Sequence, residues 1–403
     1  MPVSIWCTRC PPSLIVDMNR SRFYFIEPSK VRTYHITLIE GYLAAILSSA
    51  AIINSRDVVF CACESLFDNL SDAVRNRVVH ETIPVVDQDK HHVVQKSLLE
   101  FWIVLKYMFR MRRNDLMFIS CMMPTALLLI EILNRVLRKR NLFVVIHGEI
   151  EATLGGEHLH WRSIGYWAVR WLRTRRCDSL IAVVVIDDFI KETLIAKHPD
   201  KFMDESIYVA HHPITPCFFD TPEIVDIPTA CFIGYRLPAK GFGEFKLLAA
   251  AHPNIRFAAI GAGEVEDVRS ERARPISGIE RFHRAVAECS IAVFPYMSAY
   301  DCSLSAAVLD ALSTGVHIVA TPRASFVSLA NDLGSEFVTI YRSTTELEAL
   351  LDDPSGIARH RFGRNRRLAS LASSKFGLAA VQSDFERICG VRSNIVSRAS
   401  ELG

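Results

Sequence analysis

No apolar run in this chain is long enough to cross a bilayer. The nearest approach, residues 116–130, is interrupted by Pro124 and ended by Glu131, whereas a spanning helix needs about 20 apolar residues. A cationic start followed by a long apolar core is also missing, so no signal peptide is expected. There is no disulfide framework: the eleven cysteines are dispersed, and only Cys7/Cys10 and Cys61/Cys63 are close in sequence. That usage fits a reducing, cytoplasmic setting. Cys7 and Cys10 lack a second pair, which argues against a zinc or redox motif. Charge of one sign is not in excess: 46 Lys/Arg against 44 Asp/Glu leave a net +2, giving no ground for a nucleic-acid partner. Repeats at solenoid periods and low-complexity tracts are absent too.

What the chain does have is apolar material for two cores. Of 403 residues, 50% are hydrophobic and 22% charged, a globular composition at a length that suits two domains. One stretch is distinctly basic: residues 101–176 carry 13 Lys/Arg against 5 Asp/Glu.

Short, continuously apolar segments alternate with helical patterns along the chain. Strands are expected at 23–27, 57–62, within 77–86, and at 116–120, 142–146, 179–186 and 207–210. Residues 211–228 carry four prolines and no periodicity, and read as a linker. A second alternating series follows, with strands at 229–233, 257–260, 291–294, 317–320 and 337–340, and two closing helices near 344–351 and 365–388. Continuously apolar strands alternating with helices imply parallel sheets covered on both faces. The fold class is therefore α/β, with two doubly wound Rossmann-like domains facing a cleft. We place an extension at 1–22, the first domain at 23–212, the linker at 213–228 and the second domain at 229–403. Ligands of such sheets bind beyond the carboxyl ends of the strands.

Two segments of the second domain carry chemistry. Strand 229–233 runs into Gly234, which lets the backbone turn close to a ligand, and then delivers Arg236 and Lys240 from one short loop. Two fixed cations suit a diphosphate, both in binding it and in stabilising it as it departs. Strand 291–294 runs into Pro295-Tyr296, then Asp301, Ser303 and Ser305, then a helix with Asp310 one and a half turns in and Gly315 at its end. Serines cap helix starts, and the free N–H groups there attract anions. Asp310 is placed to accept hydrogen bonds from a ribose diol. In the first domain, strand 142–146 delivers His147-Gly148-Glu149 at its carboxyl end; Glu149 reads either as a base or as a solvated carboxylate. His211-His212 sits in a strand-to-linker turn and reads as a hinge, not a metal site.

The order of these motifs resembles glycosyltransferases of the GT-B fold, in particular the family 4 type common in bacterial polysaccharide assembly. The resemblance rests on Gly234–Phe242 with its Arg and Lys-Gly-Phe, residues 260–264 (Ile-Gly-Ala-Gly-Glu), Phe294-Pro295-Tyr296, Asp310-Ala311-Leu312 with Gly315, and residues 318–322 (Ile-Val-Ala-Thr-Pro). It covers 227–335 well and the first half loosely. It implies a nucleoside diphosphate sugar as donor, a glycan or lipid-linked acceptor, no cofactor and no bound metal. It also implies that Arg236 and Lys240 contact the diphosphate and that His147 touches the transferred sugar. The family has two glutamates eight residues apart. Asp310 falls on the second, Cys302 on the first, with Asp301 beside it. Either Asp301 substitutes, or the sugar is held differently. The family's glycine-bearing first loop is here Ser29 to Tyr34, without glycine. The aromatics and five arginines of residues 161–176, with the 110–113 cluster, are expected to meet anionic lipid headgroups. A non-catalytic subunit of the same fold and a sugar-nucleotide epimerase are the competing readings.

Overall fold

The computed structural model describes residues 20–30, 36–86, 93–146, 148–153, 163–215, 217, 228–261, 264–270, 272–276, 278–297, 301–353 and 365–401. The chain divides into two compact units: Met1–Val145, Asp178–Val183 and Glu386–Gly403 form one, Ile146–Cys177 and Val184–Phe385 the other.

In the first sheet the strands are β1 (Ser21–Ile26), β2 (Arg56–Ala62), β3 (Val79–Thr82), β4 (Leu116–Ile119), β5 (Leu142–Val145), β6 (Ile181–Val185) and β7 (Ile207–Val209), in the order β3-β2-β1-β4-β5-β6-β7. β1 pairs in parallel with both β2 and β4, so the strand order reverses at β1/β4. The core there is aromatic: Phe25 stacks on Phe118 at 5.4 Å and Tyr42 meets Phe118 edge-on at 5.9 Å. All three are fully buried, each contributing roughly 1.5–3 kcal/mol.

The loop leaving β1 is organised by acids. Glu27, fully buried, accepts from the N–H groups of Ser29 and Lys30 (both 2.9 Å) and from Ser120 Oγ (2.6 Å). Glu100 accepts from Ser29 Oγ and, at 2.6 Å, from Met123 N. Burial pushes the Glu100 carboxyl up to about 7, against the pull of these donors.

In the second sheet β8 (Thr229–Ile233), β9 (Arg256–Gly261), β12 (Ile291–Phe294), β13 (His317–Ala320) and β14 (Val338–Ile340) are parallel. Their core is Phe232, Phe245 and Phe257 with the aliphatics around them. With β10 (Glu264–Asp267) and β11 (Arg272–Pro275) at one edge, the order is β11-β10-β9-β8-β12-β13-β14, and its reversal falls at β8/β12. Two strands were not anticipated. β10 and β11 form an antiparallel hairpin on β9, where the sequence suggested only a turn. The hairpin is the sheet's edge and β11 is exposed throughout, so no apolar run marks it. The single helix expected at 365–388 is two, Asn365–Phe376 and Leu378–Glu401, divided at Gly377.

His211 holds together three segments of the second unit. Its Nδ1 lies 2.8 Å from Asp384 and its Nε2 3.0 Å from Asp188, and Asp384 also accepts the His211 N–H. Asp187, Asp188 and His211 are the one metal-ligand-type group among the described residues. Lys375 Nζ, 3.3 Å from Asp187, already supplies a cation there. Burial pushes the His211 imidazole down, but the two carboxylates outweigh it and set it at about 9. A raised folded-state value adds stability below the unfolded value, about 6.5, and that stability is lost as pH rises through 9. We expect His211→Asn to cost about 3 kcal/mol near neutrality, with the gap to wild type closing above pH 9 in denaturant titrations. A gap independent of pH would refute the pairing.

Candidate functional site

The second sheet reverses order between β8 and β12, and the loops that leave those two strands carry the residues expected of the second domain. Gly234 leaves β8 at φ +105°. A Cβ on Gly261, at the end of β9, would come within 2.5 Å of the Gly234 carbonyl oxygen. The loop then forms a short 3-10 turn, Pro238–Lys240, closed by Gly241 at φ +70°. A Cβ on Gly241 would overlap the Pro295 carbonyl, and Met297 N donates to Ala239 O at 3.0 Å. The β8 loop and the β12 loop are thus seated on each other.

The two loop cations have different circumstances. Arg236 is ion-paired with Glu264 (2.9 Å) and Glu266 (2.5 Å) of β10 and lies over the Phe242 ring. Its charge is shared with the hairpin that the sequence did not reveal. Lys240 is only 8% exposed, with Nζ 5.4 Å from the centroid of the Tyr296 ring and 3.4 Å from the position of a Cβ on Gly234. Burial pushes its pKa down, so an anion placed against it would regain what desolvation costs.

Tyr296 is fully buried and packs against Phe294 and Phe326. Its hydroxyl meets Ser305 Oγ at 3.0 Å. Ser305 does occupy the N-cap of the helix Ala306–Thr314, but its side chain makes no capping bond, contrary to expectation, because the tyrosine engages it. Asp301 accepts from Ala324 N at 3.2 Å and lies 3.8 Å from Arg323. It thereby serves the helix Ala324–Leu333. Cys302 is fully buried, and burial pushes its thiol up to about 12, so it is neutral. Ser303 is buried 3.8 Å from where a Cβ on Gly148 would stand.

The serine-rich turn has a partner that nothing local in the sequence announced. Glu151, on the 3-10 helix Gly148–Thr153, accepts from Asp301 N at 2.7 Å and Cys302 N at 2.8 Å. One carboxylate therefore holds two consecutive backbone donors. His147 lies outside the described residues, as does the side chain of Glu149. The chain contains one Asp-x-Asp, at 87–89, and that too lies outside them.

Asp310 does not stand alone. Its Oδ1 is 3.3 Å from Nε2 of His283, on the helix Ile279–Ala287, and His283 Nδ1 is 3.0 Å from Cys217 Sγ. Neither partner was anticipated: His283 lies 27 residues from Asp310 and Cys217 lies 66 from His283, too far apart for a sequence pattern.

The same fold occurs in solved glycosyltransferases. Anabaena Alr3699/HepE, in complex with UDP and glucose, superposes with a TM-score of 0.61 at 10% identity, over 92% of this chain and 100% of that one. OtsA gives 0.59 at 11%, over 91% and 99%. A glycosyltransferase from Rickettsia africae ESF-5 gives 0.55 at 11%, over 92% and 98%. The chain therefore has the GT-B fold. No family model matches it, and no curated protein does.

The loop-on-loop seat sets a checkable requirement. Gly241→Ala, strained at φ +70° and driven into Pro295, should cost about 3 kcal/mol or more in chemical denaturation. A loss under about 1 kcal/mol would show that the contact yields, since strain of this kind ordinarily exceeds that.

Proposed function

We propose that this chain is a glycosyltransferase that takes a sugar from a nucleoside diphosphate sugar. The observation that supports it best is a buried lysine in a glycine turn at the order reversal of the second sheet. Open α/β sheets take their ligands at that place. Lys240 is the cation for the diphosphate and for the charge that develops as it departs. Arg236, tied to Glu264 and Glu266, supports that role from the side. Asp310, with a side chain 28% exposed, accepts from the ribose, and His147 orients the transferred sugar. That HepE is solved with UDP and glucose agrees with this class of donor. The acceptor is a glycan or lipid-linked sugar in bacterial polysaccharide assembly, and no bound metal takes part.

A peripheral membrane position goes with that acceptor, and we centre it on the 110–113 side of the expected region. In the helix Ile164–Thr174, Trp171 is buried and Arg175, just beyond, lies fully buried against the Trp171 and Phe202 rings. Those groups face inward. The helix Val93–Arg110 instead exposes Val94, Leu98, Trp102 and Phe109 along one stripe. Of the acids nearby, Glu100, Asp115 and Glu131 are buried and Glu81 is paired with Arg110, while Lys106, Arg112 and Arg113 are exposed. An apolar stripe edged by cations suits an anionic lipid surface.

Release of nucleoside diphosphate from UDP-, GDP-, ADP- and TDP-sugars, with and without acceptor lipid, tests the transfer. Absence of both binding and release across the panel refutes it. Binding without release supports the non-catalytic reading that the neutral thiol of Cys302 favours. Lys240→Ala should weaken nucleoside diphosphate binding by about 1.5–3 kcal/mol. Because burial lowers the lysine's pKa, affinity should also fall with rising pH earlier than for an ordinary lysine, near 10.4. Trp102→Ser should reduce recovery on anionic vesicles at low salt; equal recovery on neutral and anionic vesicles counts against the membrane surface.

A further inference from the structure

Asp310 sits at the end of a three-member chain, Cys217–His283–Asp310, with separations of 3.0 and 3.3 Å. Both links lie within the second unit. His283 is 7% exposed, so its ring is held by packing. Cys217 is held from its backbone, where its N–H donates to Ser313 O at 2.8 Å, near the end of the Asp310 helix. The direction of the hydrogen bonds follows from the chemistry. Burial, and next the charge of Asp310, push the Cys217 thiol up, so it stays protonated. The Asp310 carboxylate can only accept, so the proton of a neutral His283 ring stands on Nε2, and Nδ1 is left as an acceptor facing the Cys217 sulfur, whose S–H also has the Thr215 carbonyl at 3.4 Å. An Nε2–H aimed at Asp310 Oδ1 fixes one carboxylate oxygen and with it the rotamer of the side chain. The second oxygen is then presented in one orientation to whatever lies beyond the helix face.

We propose that His283, oriented by the Cys217 thiol, is the positioning residue for Asp310 and thereby makes the site select nucleotides that carry a ribose diol. The inference rests on the donor reading given above. A preoriented carboxylate loses no rotamer freedom when it accepts from the two hydroxyls, and a polar site built for hydroxyls discriminates against the analogue that lacks them. His283 touches no substrate in this scheme; it acts only through Asp310.

The test uses the full chain and calorimetry with UDP, GDP and ADP, then the 2′,3′-dideoxy counterpart of whichever binds. For the wild type we expect tighter binding of the ribonucleotide than of the dideoxy form. His283→Leu should weaken the ribonucleotide about five- to tenfold, as for the loss of one hydrogen bond, and leave the dideoxy form unchanged. His283→Gln, whose amide nitrogen can stand near Nε2 and donate to Asp310, should recover most of the loss. Cys217→Ala should shift the ribonucleotide in the same direction by less, and it serves as the working variant should His283→Leu fail to fold. Equal weakening of both nucleotides, or no change in either beside a diol-selective wild type, overturns the positioning role and leaves the donor reading standing. If none of the three diphosphates binds wild type, the donor reading falls and the inference with it.

Discussion

Parallel sheets end in a difficulty: the loops at their carboxyl ends expose backbone N–H groups that neither the sheet nor the next helix satisfies. In this protein buried or half-buried carboxylates meet that need. Glu27 takes the donors of Ser29 and Lys30, and Glu100 that of Met123. Glu151 takes Asp301 and Cys302, Asp301 takes Ala324, and Asp384 takes His211. Such a bond contributes about 1.5–3 kcal/mol where the carboxylate is charged, and all but the bonds of Glu27 within its own loop join segments 23 or more residues apart. The loops that shape the candidate site are set by these acids before any ligand arrives.

That arrangement decides which charges are left for a ligand. The Glu264–Glu266 edge offsets Arg236 and keeps its guanidinium beside Phe242. Lys240 faces an aromatic ring instead and carries the cost of burial in a lowered pKa. A cation that burial has already desolvated is a favourable place for an anion to develop. Across the same region Glu151 occupies a pair of N–H groups that would otherwise attract an anion. The turn containing Cys302 is therefore a structural junction, and the thiol is neutral within it.

Much of this could be read from residue order. Strands 229–233, 291–294 and 317–320 appear with the bounds expected, because each is a continuous apolar run between turn residues. Gly234, Gly241 and Gly315 are all at positive φ, the conformation for which glycine is suited. The β10–β11 hairpin escaped because an exposed edge strand need not be apolar. In the helix Ile164–Thr174 periodicity gives the faces without saying which of them is covered. Trp171 lies beneath neighbouring residues, whereas Trp102, in a less conspicuous helix, is 62% exposed.

Composition, strand spacing and the turn residues after β8 and β12 determined by themselves the α/β class, the two sheets and the glycine turns that leave them. Each of those is a local matter of period, apolar run or backbone freedom. Tertiary structure alone decided the partners: Glu151 with residues 301 and 302, Arg236 with β10, His211 with Asp188 and Asp384, and His283 between Cys217 and Asp310. Such pairs depend on distances of about 3 Å between side chains that the fold brings together from up to 173 residues apart. Hydrogen bonds and ion pairs fall off within that range, and no pattern along the chain encodes it.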